Sequence, residues 1–311
     1  MTASHSHASV STSNPWRRVI PFIEQLALDH GGPIIVANDL WCLEDLTERK
    51  GGLAQLPIGW DQGPTLWLHM PFENVPAVVS GAEAIWKNRR KMKETDDRPH
   101  KMCALCGPGV AYDKMFQSVS GLLERWHDVV LVCFDDHVRA DVHGLHSSAM
   151  PRGAATQALS IGKNGAGRVT PRKDMTYIAL MHHIPFAGQT TLSRPDDFEA
   201  KLQTAFAAEG PAFLDVLVVG PEEWDADPDR ATQVLELAIE TNYWPLYEAA
   251  MDRVTINHKP QPQRPIADWL HVQQRFAHLF HQEHTELLAE IQGDVDQRWK
   301  ELLALEAASA F

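Results

Sequence analysis

Gly107-Pro-Gly109 follows an apolar run ending at Cys106, and Asp113-Lys114 stand just behind it. A lysine at a helix start can meet an anion directly, because the free N–H groups of a first turn already favour negative charge. Further along, Asp135, Asp136 and Asp141 share one stretch with His137, His143 and His146. By ligand type that mixture suits a transition metal, and histidines on a solvated loop rim account for the same residues. Cys103-x-x-Cys106 has the spacing of half a zinc site or of a redox pair. Inside an apolar run, with no second Cys-x-x-Cys in the chain, it reads better as two thiols of a buried strand. His182-His183 fits a helix C-terminus, where a cation is favoured. There is no GxxxxGK phosphate loop and no serine nucleophile elbow.

The elements that position these residues alternate. β-branched or apolar runs at Pro33 to Asn38, Met102 to Cys106, Val129 to Phe134, Ile184 to Ala187 and Ala212 to Val219 predict buried strands. Helical spacing of apolar residues marks Phe72 to Lys91, Tyr112 to Trp126, Lys173 to His183, Arg194 to Glu209 and Asp227 to Thr241. Strand, helix, strand at this spacing is a βαβ pattern, which predicts an α/β fold, a mostly parallel sheet with helices on both faces. Leu46 to Gly63 reads as a loop, Lys91 to Lys101 as a charged connector, and Asp135 to Arg172 as a loop long enough to be functional. Asn257 to Pro265 is a proline-rich connector. Beyond it, Ile266 to Ala307 predicts one long or two successive helices packing on the body or on another subunit. The division expected is a flexible tail over 1–14, an α/β domain over 15–256 and a C-terminal helical extension over 257–311.

Composition narrows the class. With 311 residues and 44% apolar content the chain can bury a sizeable core. A formal charge of −13 argues against a sequence-independent nucleic-acid binder, which needs surplus Lys and Arg. Four cysteines, mostly in apolar runs, fit reduced thiols in a cytoplasmic protein. No apolar run reaches the roughly 18 residues of a membrane span, and Met1 to Asn14 lacks the pattern of a secretory signal.

Several segments, in order, resemble the β subunit of the 2-oxoacid:ferredoxin oxidoreductases, the pyruvate:ferredoxin oxidoreductase group. They are Val36-Ala-Asn-Asp-Leu-Trp-Cys-Leu-Glu44, His69-Met-Pro-Phe-Glu-Asn-Val-Pro76, Cys103 to Asp113, Asp135-Asp-His-Val138 and Ser147-Ser-Ala-Met-Pro-Arg-Gly153. Lys173-Asp-Met175, His183-Ile-Pro185, Glu209-Gly-Pro-Ala-Phe213 and Asn242-Tyr-Trp-Pro-Leu-Tyr247 continue the match, which covers about residues 33 to 305. The resemblance implies the diphosphate-side fold of a thiamine diphosphate enzyme. It places Cys42, Glu44, Glu73, Asn74, Gly107, Gly109, Asp113, Lys114, Asp136 and Val138 around the cofactor cradle.

In that family the diphosphate is held through Mg²⁺ by an aspartate after the first glycine, a side-chain oxygen further on and a backbone carbonyl. Carried onto this chain, the metal ligands are Asp136 and Val138, while the first position is Pro108. Proline offers neither a side-chain oxygen nor an N–H. The family's Ile-Gly becomes Lys114-Met115 and its Asn-Thr-Gly becomes Asp141-Val-His143. Asp113 or Asp135 is a candidate replacement oxygen, and without a metal the carboxylates of this region would repel a diphosphate. Three outcomes stay open: ordinary Mg²⁺–thiamine diphosphate binding, an altered anion or metal site, or a filled-in pocket. Of the four cysteines implied for a four-iron cluster only Cys42 is present, so no iron–sulfur cluster is expected. The family builds its active site with a partner chain, which implies an α- or γ-type subunit. The expected role is a β-like subunit of a 2-oxoacid:acceptor oxidoreductase-type complex. The alternatives are a non-catalytic scaffold or regulatory subunit, and a repurposed enzyme using a metal on the Asp/His loop.

Overall fold

The computed structural model describes residues 16–30, 34–39, 65–69, 73–95, 100–138, 146–156, 167–220, 224, 230–281 and 284–309. The expected tail over 1–14, the loop over 46–63, and the predicted residues Cys42, Glu44, Asp141 and His143 lie outside them. Eight strands form one sheet: Ile34–Asn38 (β1), Thr65–His69 (β2), Lys101–Cys106 (β3), Val129–Asp135 (β4), Phe186–Thr191 (β5), Ala212–Leu217 (β6), Tyr247–Ala250 (β7) and Arg253–Ile256 (β8). Their order is β2-β1-β3-β4-β6-β5-β7-β8. Every pairing from β2 through β5 is parallel, and β7 and β8 add an antiparallel hairpin at one edge.

The parallel strands are buried end to end because helices cover both faces. Successive residues of a strand point to opposite faces, and β4 shows the consequence. Val130, Val132 and Phe134 join one core, while Val129, Leu131 and Cys133 join the other. On the first face lie Trp16–His30 (α1) and Pro195–Ala207 (α5), whose contact includes the Phe22 and Phe198 rings 6.3 Å apart. On the second lie Val75–Lys91 (α2), Phe116–Glu124 (α3) and Met175–Leu180 (α4), contributing Val79, Leu122 and Met175 to the core. The fold is thus the expected α/β sandwich. Among the described residues no helix is long and apolar enough to cross a membrane.

A third core lies beyond the sheet. Ala231–Glu240 (α6), Ile266–His271 (α7), a 3-10 helix over Gln274–Phe280 and Thr285–Ala308 (α8) enclose it with the segment after β4. Trp224, Trp244, Trp269 and Phe276 are fully buried there with Val138 and Met150. Leu302 of α8 docks against the β7–β8 hairpin. The C-terminal extension therefore packs back on the body, as three helical pieces rather than one or two.

Other boundaries shift for local reasons. The helix expected from Phe72 begins at Val75, since Glu73 is left-handed (φ 57) and Pro76 fits only a first turn. The helix expected over Tyr112 to Trp126 is split into a π turn, Gly109–Asp113, and α3. The helix expected over Lys173 to His183 shortens to α4, capped by Asp174, which accepts from the Tyr177 N–H at 2.8 Å. The fourth predicted strand run, Ile184 to Ala187, moves on to Phe186–Thr191.

Leu131 is fully buried at the centre of β4. Replacing it with alanine should cost about 2–5 kcal/mol in urea unfolding; a loss below about 1 kcal/mol would mean the sheet is not the packing centre described.

Candidate functional site

Gly107, Pro108 and Gly109 turn the chain at the carboxyl end of β3, where open α/β sheets place their ligand sites. Pro108 adopts helical angles (φ −58, ψ −33), matching its ring-fixed geometry, so it starts the turn without strain. The Gly107 carbonyl accepts from Val110 and Ala111, each at 3.1 Å, and the Gly109 carbonyl accepts from the Lys114 N–H at 2.8 Å. That last span of five residues makes the turn a π turn, a form frequent at functional sites.

Asp113 and Lys114, just behind this turn, find partners within the protein. Asp113 accepts from the Ser147 hydroxyl at 2.6 Å and from the Ser148 N–H and hydroxyl at 2.9 and 2.5 Å. The Lys114 ammonium pairs with Glu73 at 2.8 Å. Asn74 stands at the N-cap of α2 without capping it, and its buried Oδ1 has no hydrogen-bond partner. At the end of β4, Asp136 Oδ1 accepts from the Val138 N–H at 3.1 Å, and its carbonyl accepts from the Trp224 indole. Val138 is fully buried.

Tyr112 of the turn joins a buried ionic knot whose contacts span distant segments of the chain. Arg172 donates to Asp135 at 2.8 Å, to Asp215 at 3.2 Å and to the Tyr112 hydroxyl, while Tyr112 donates to Asp215. Its guanidinium also lies 4.5 Å from the Trp244 ring centre. Burial pushes Asp135 up, opposed by Arg172. Burial first, and then Asp135 nearby, push Asp215 up to about 7. Burial works against the Arg172 charge, but the surrounding Tyr112, Asp135 and Asp215 outweigh it and hold the guanidinium protonated. Burial raises the Tyr112 phenol, which stays a neutral donor.

The expectation of a solvated His137 is overturned. His137 is fully buried and left-handed (φ 66), its ring stacked on Trp224 at 4.9 Å and edge-on to Trp244 and Trp269. Asn, Asp and His tolerate this backbone region better than other side chains. Arg275 donates to its Nδ1 at 3.2 Å and lies 3.9 Å from the Trp224 ring centre. Burial pushes the Arg275 guanidinium down to about 9. His146, by contrast, is exposed. Among the described residues no group of three or more His, Cys, Asp or Glu could hold a metal. Asp113 and Asp135, the candidate replacement oxygens, are held by Ser147 and Ser148 and by Arg172 respectively. Cys103, Cys106 and Cys133 are buried free thiols on β3 and β4, and burial raises all three, as two thiols of a buried strand should be. His182 follows α4, with Nδ1 2.9 Å from the Ile178 carbonyl, which bears out the helix-end placement.

Comparison with known proteins fits this architecture. Residues 62–216 match the family model for the thiamine pyrophosphate enzyme C-terminal TPP binding domain. Pyruvate synthase subunit PorB of Thermotoga maritima is 35% identical over 77% of this chain and 75% of its own. The PorB subunit of Methanocaldococcus jannaschii is 32% identical over 87% of both chains, and ketoisovalerate oxidoreductase subunit VorB of Pyrococcus furiosus is 30% identical over 76% and 75%. The chain belongs to the β-subunit family of the 2-oxoacid:ferredoxin oxidoreductases.

Because Asp215 titrates above the ordinary aspartate range near ~4, the folded state binds that proton more tightly than the unfolded chain. The resulting stability is fully present below that range and is lost as pH rises through about 7. The unfolding free energy of the wild type, minus that of Asp215→Asn, should therefore fall between pH 4 and pH 8, by at most about 1.4 kcal/mol per pH unit. Parallel curves from urea titrations would contradict the raised Asp215.

Proposed function

We propose that the chain is a β-type subunit of a 2-oxoacid:acceptor oxidoreductase complex whose own magnesium clasp is altered, so that it does not hold Mg²⁺–thiamine diphosphate in the family's ordinary way. Residues 15–256 would supply the cofactor-side body and residues 257–311 the helical cover. The cradle would be formed by Gly107, Gly109, Asp136 and Val138, flanked by Glu73, Asn74, Asp113 and Lys114, with Cys42 and Glu44 on the segment outside the described residues.

The observation that carries this reading is Pro108. A hard cation takes oxygen ligands, and Asp136 and Val138 remain to offer a carboxylate and a carbonyl. Pro108 offers no side-chain oxygen and sits in its turn at helical angles. Asp113 is committed to Ser147 and Ser148, and Asp135 to Arg172. The residues present do not complete the oxygen set. The expectation of no iron–sulfur cluster is supported by placement: three of the four cysteines are buried within strands, which leaves Cys42, and one thiolate cannot hold a cluster.

Membership of a subunit family supports a hetero-oligomer, and we read the partner as an α- or γ-type chain. The scaffold or regulatory reading draws on the same engagement of Asp113 and Lys114, since a cradle whose side chains satisfy one another keeps its shape without a ligand. The metal-dependent alternative loses its candidate His137 to the aromatic core.

Calorimetry on the full chain, with whatever partner co-purifies, decides the matter. Thiamine diphosphate with Mg²⁺ should bind more weakly than about 100 μM, roughly −5.5 kcal/mol, and Pro108→Asp should tighten it by about tenfold or more. Tight, magnesium-dependent binding by the wild type would refute the altered clasp.

A further inference from the structure

At the end of the sheet opposite Gly107 and Gly109, where β3 and β4 begin, lies a second polar cluster. The buried Lys101 ammonium is held by Asp128 and donates to the Ala208 carbonyl, just past α5, at 2.5 Å. Asp128 also accepts from the Gly210 N–H at 3.3 Å. Glu83 of α2, fully buried, takes Lys87, the His127 Nδ1 at 2.7 Å and the Asp128 N–H at 3.2 Å. Each buried charge here has an opposite partner.

Two histidines at the same seam are less well provided. His30 ends α1, and one of its ring nitrogens hydrogen-bonds the His100 backbone, while its Nε2 is buried without a hydrogen-bond partner. His100 directly precedes β3, with its ring centre 5.0 Å from that of Trp86 on α2. Both of its ring nitrogens are buried and without a hydrogen-bond partner. An imidazolium donates from both nitrogens. The seam offers His30 one acceptor and His100 none, so a proton added to either ring leaves a charged donor buried and unpaired.

The groups facing each ring set the direction. Burial is the largest influence on His30 and disfavours its charged form; the Lys101 ammonium opposes a second positive charge, and Asp128 favours one without reversing the sum. At His100 burial again dominates and disfavours the charged ring. Asp128 and Glu83 pull the other way, and Arg90 and Lys87 side with burial. Both rings therefore hold a proton less tightly than an ordinary histidine, whose midpoint is near ~6.5. The stability such groups contribute is present above that value. It is lost as pH falls below it, because the unfolded chain then takes up protons that the folded chain does not.

We infer that this seam is an acid-sensitive latch, closed while His30 and His100 are neutral and loosened as they take up protons. It joins α1, on one face of the sheet, to α2, on the other. Protonation unfastens the end of α1 from the start of β3, while the knot around Arg172, at the opposite end of the sheet, stays closed. The latch does not rest on the reading of Pro108.

Backbone hydrogen exchange on the full chain, with any partner that co-purifies, tests it at about pH 7.5 and about pH 5. After correction for intrinsic rates, protection over residues 24–30 should fall on acidification by at least about tenfold more than protection over β4. Two substitutions remove the titration and little else. His30→Gln keeps an N–H for the His100 carbonyl, and His100→Phe keeps a ring against Trp86 and deletes two unpaired nitrogens. The double variant should match the wild type near pH 7.5 and limit the acid loss to about threefold or less. The inference is overturned if the wild type shows no such loss, or if the double variant loses as much. Should the variants fail to fold by circular dichroism, exchange of the imidazole C2 hydrogens, read by mass spectrometry on the wild type, still decides. Midpoints below ~6.5 for His30 and His100 support the latch, and midpoints at or above it refute it.

Discussion

The guanidinium of Arg172, buried among Asp135, Asp215 and the Tyr112 hydroxyl, is the interaction on which the functional end of the sheet depends. Asp135 ends β4, Asp215 lies in β6, and Tyr112 belongs to the turn after β3, so one cation ties three chain segments to the loop that carries it. Taking such charges out of water is expensive, and the arrangement holds only because each has a close opposite partner. The neighbours of the knot are residues of the proposed cradle: Asp113 follows Tyr112 and Asp136 follows Asp135. Other cations of the same loop add to the fastening. Arg168 donates to the carbonyls of Ser147, Thr170 and Pro171, and Lys173 donates to that of Tyr112. Gly167 closes the loop at φ 70, with a Cβ position only 2.6 Å from the Ala154 carbonyl oxygen, so no side chain fits there.

Given that fastening, Pro108 ceases to look anomalous. An aspartate at this position would need a cation to balance it, whereas proline needs none and presets the helical angles that the turn uses. The adjoining side chains are engaged internally, Lys114 by the Glu73 carboxylate and Asp113 by hydrogen bonds from two serines. A turn whose side chains are engaged in this way holds its shape without an outside ligand, which is the physical basis of the altered-clasp proposal. His137 and Arg275 pack on the Trp224 ring, which ties the residues just after β4 to the C-terminal helices.

The parts of the fold that were legible are those where local pattern and burial agree. β3, β4 and β6 are continuous apolar runs because both of their faces are covered, and the helices between them repeat with the helical period. The rest was hidden for identifiable reasons. β2, Thr-Leu-Trp-Leu-His, is short and lies in a stretch rich in Gly and Pro. The β7–β8 hairpin turns at Met251-Asp252, both left-handed (φ 49 and 65), where such a turn usually announces itself with Asn-Gly or Asp-Gly. α1 contains Pro21, which breaks the pattern a reader would trust. Gly107, Gly109, Asp136 and Val138 are proposed through family resemblance alone, and the structure shows that they follow the paired strands β3 and β4. Arg172 and Asp215 were not legible, because their contact spans distant segments; the only hint was a lone aspartate inside the apolar run Ala212–Leu217. His137 in an acidic, polar stretch looked like a rim residue, since nothing local signals the tryptophans that enclose it.

The dependence of this end of the sheet on the Arg172–Asp135 pair is measured most directly by a double-mutant cycle in urea unfolding, using Arg172→Met and Asp135→Asn. Arg172→Met alone should cost about 3–5 kcal/mol, because it strands a buried carboxylate, and substantially less in the Asp135→Asn background, leaving a coupling above about 1.5 kcal/mol. Additive losses, or a single-mutant cost below about 1 kcal/mol, would contradict the account.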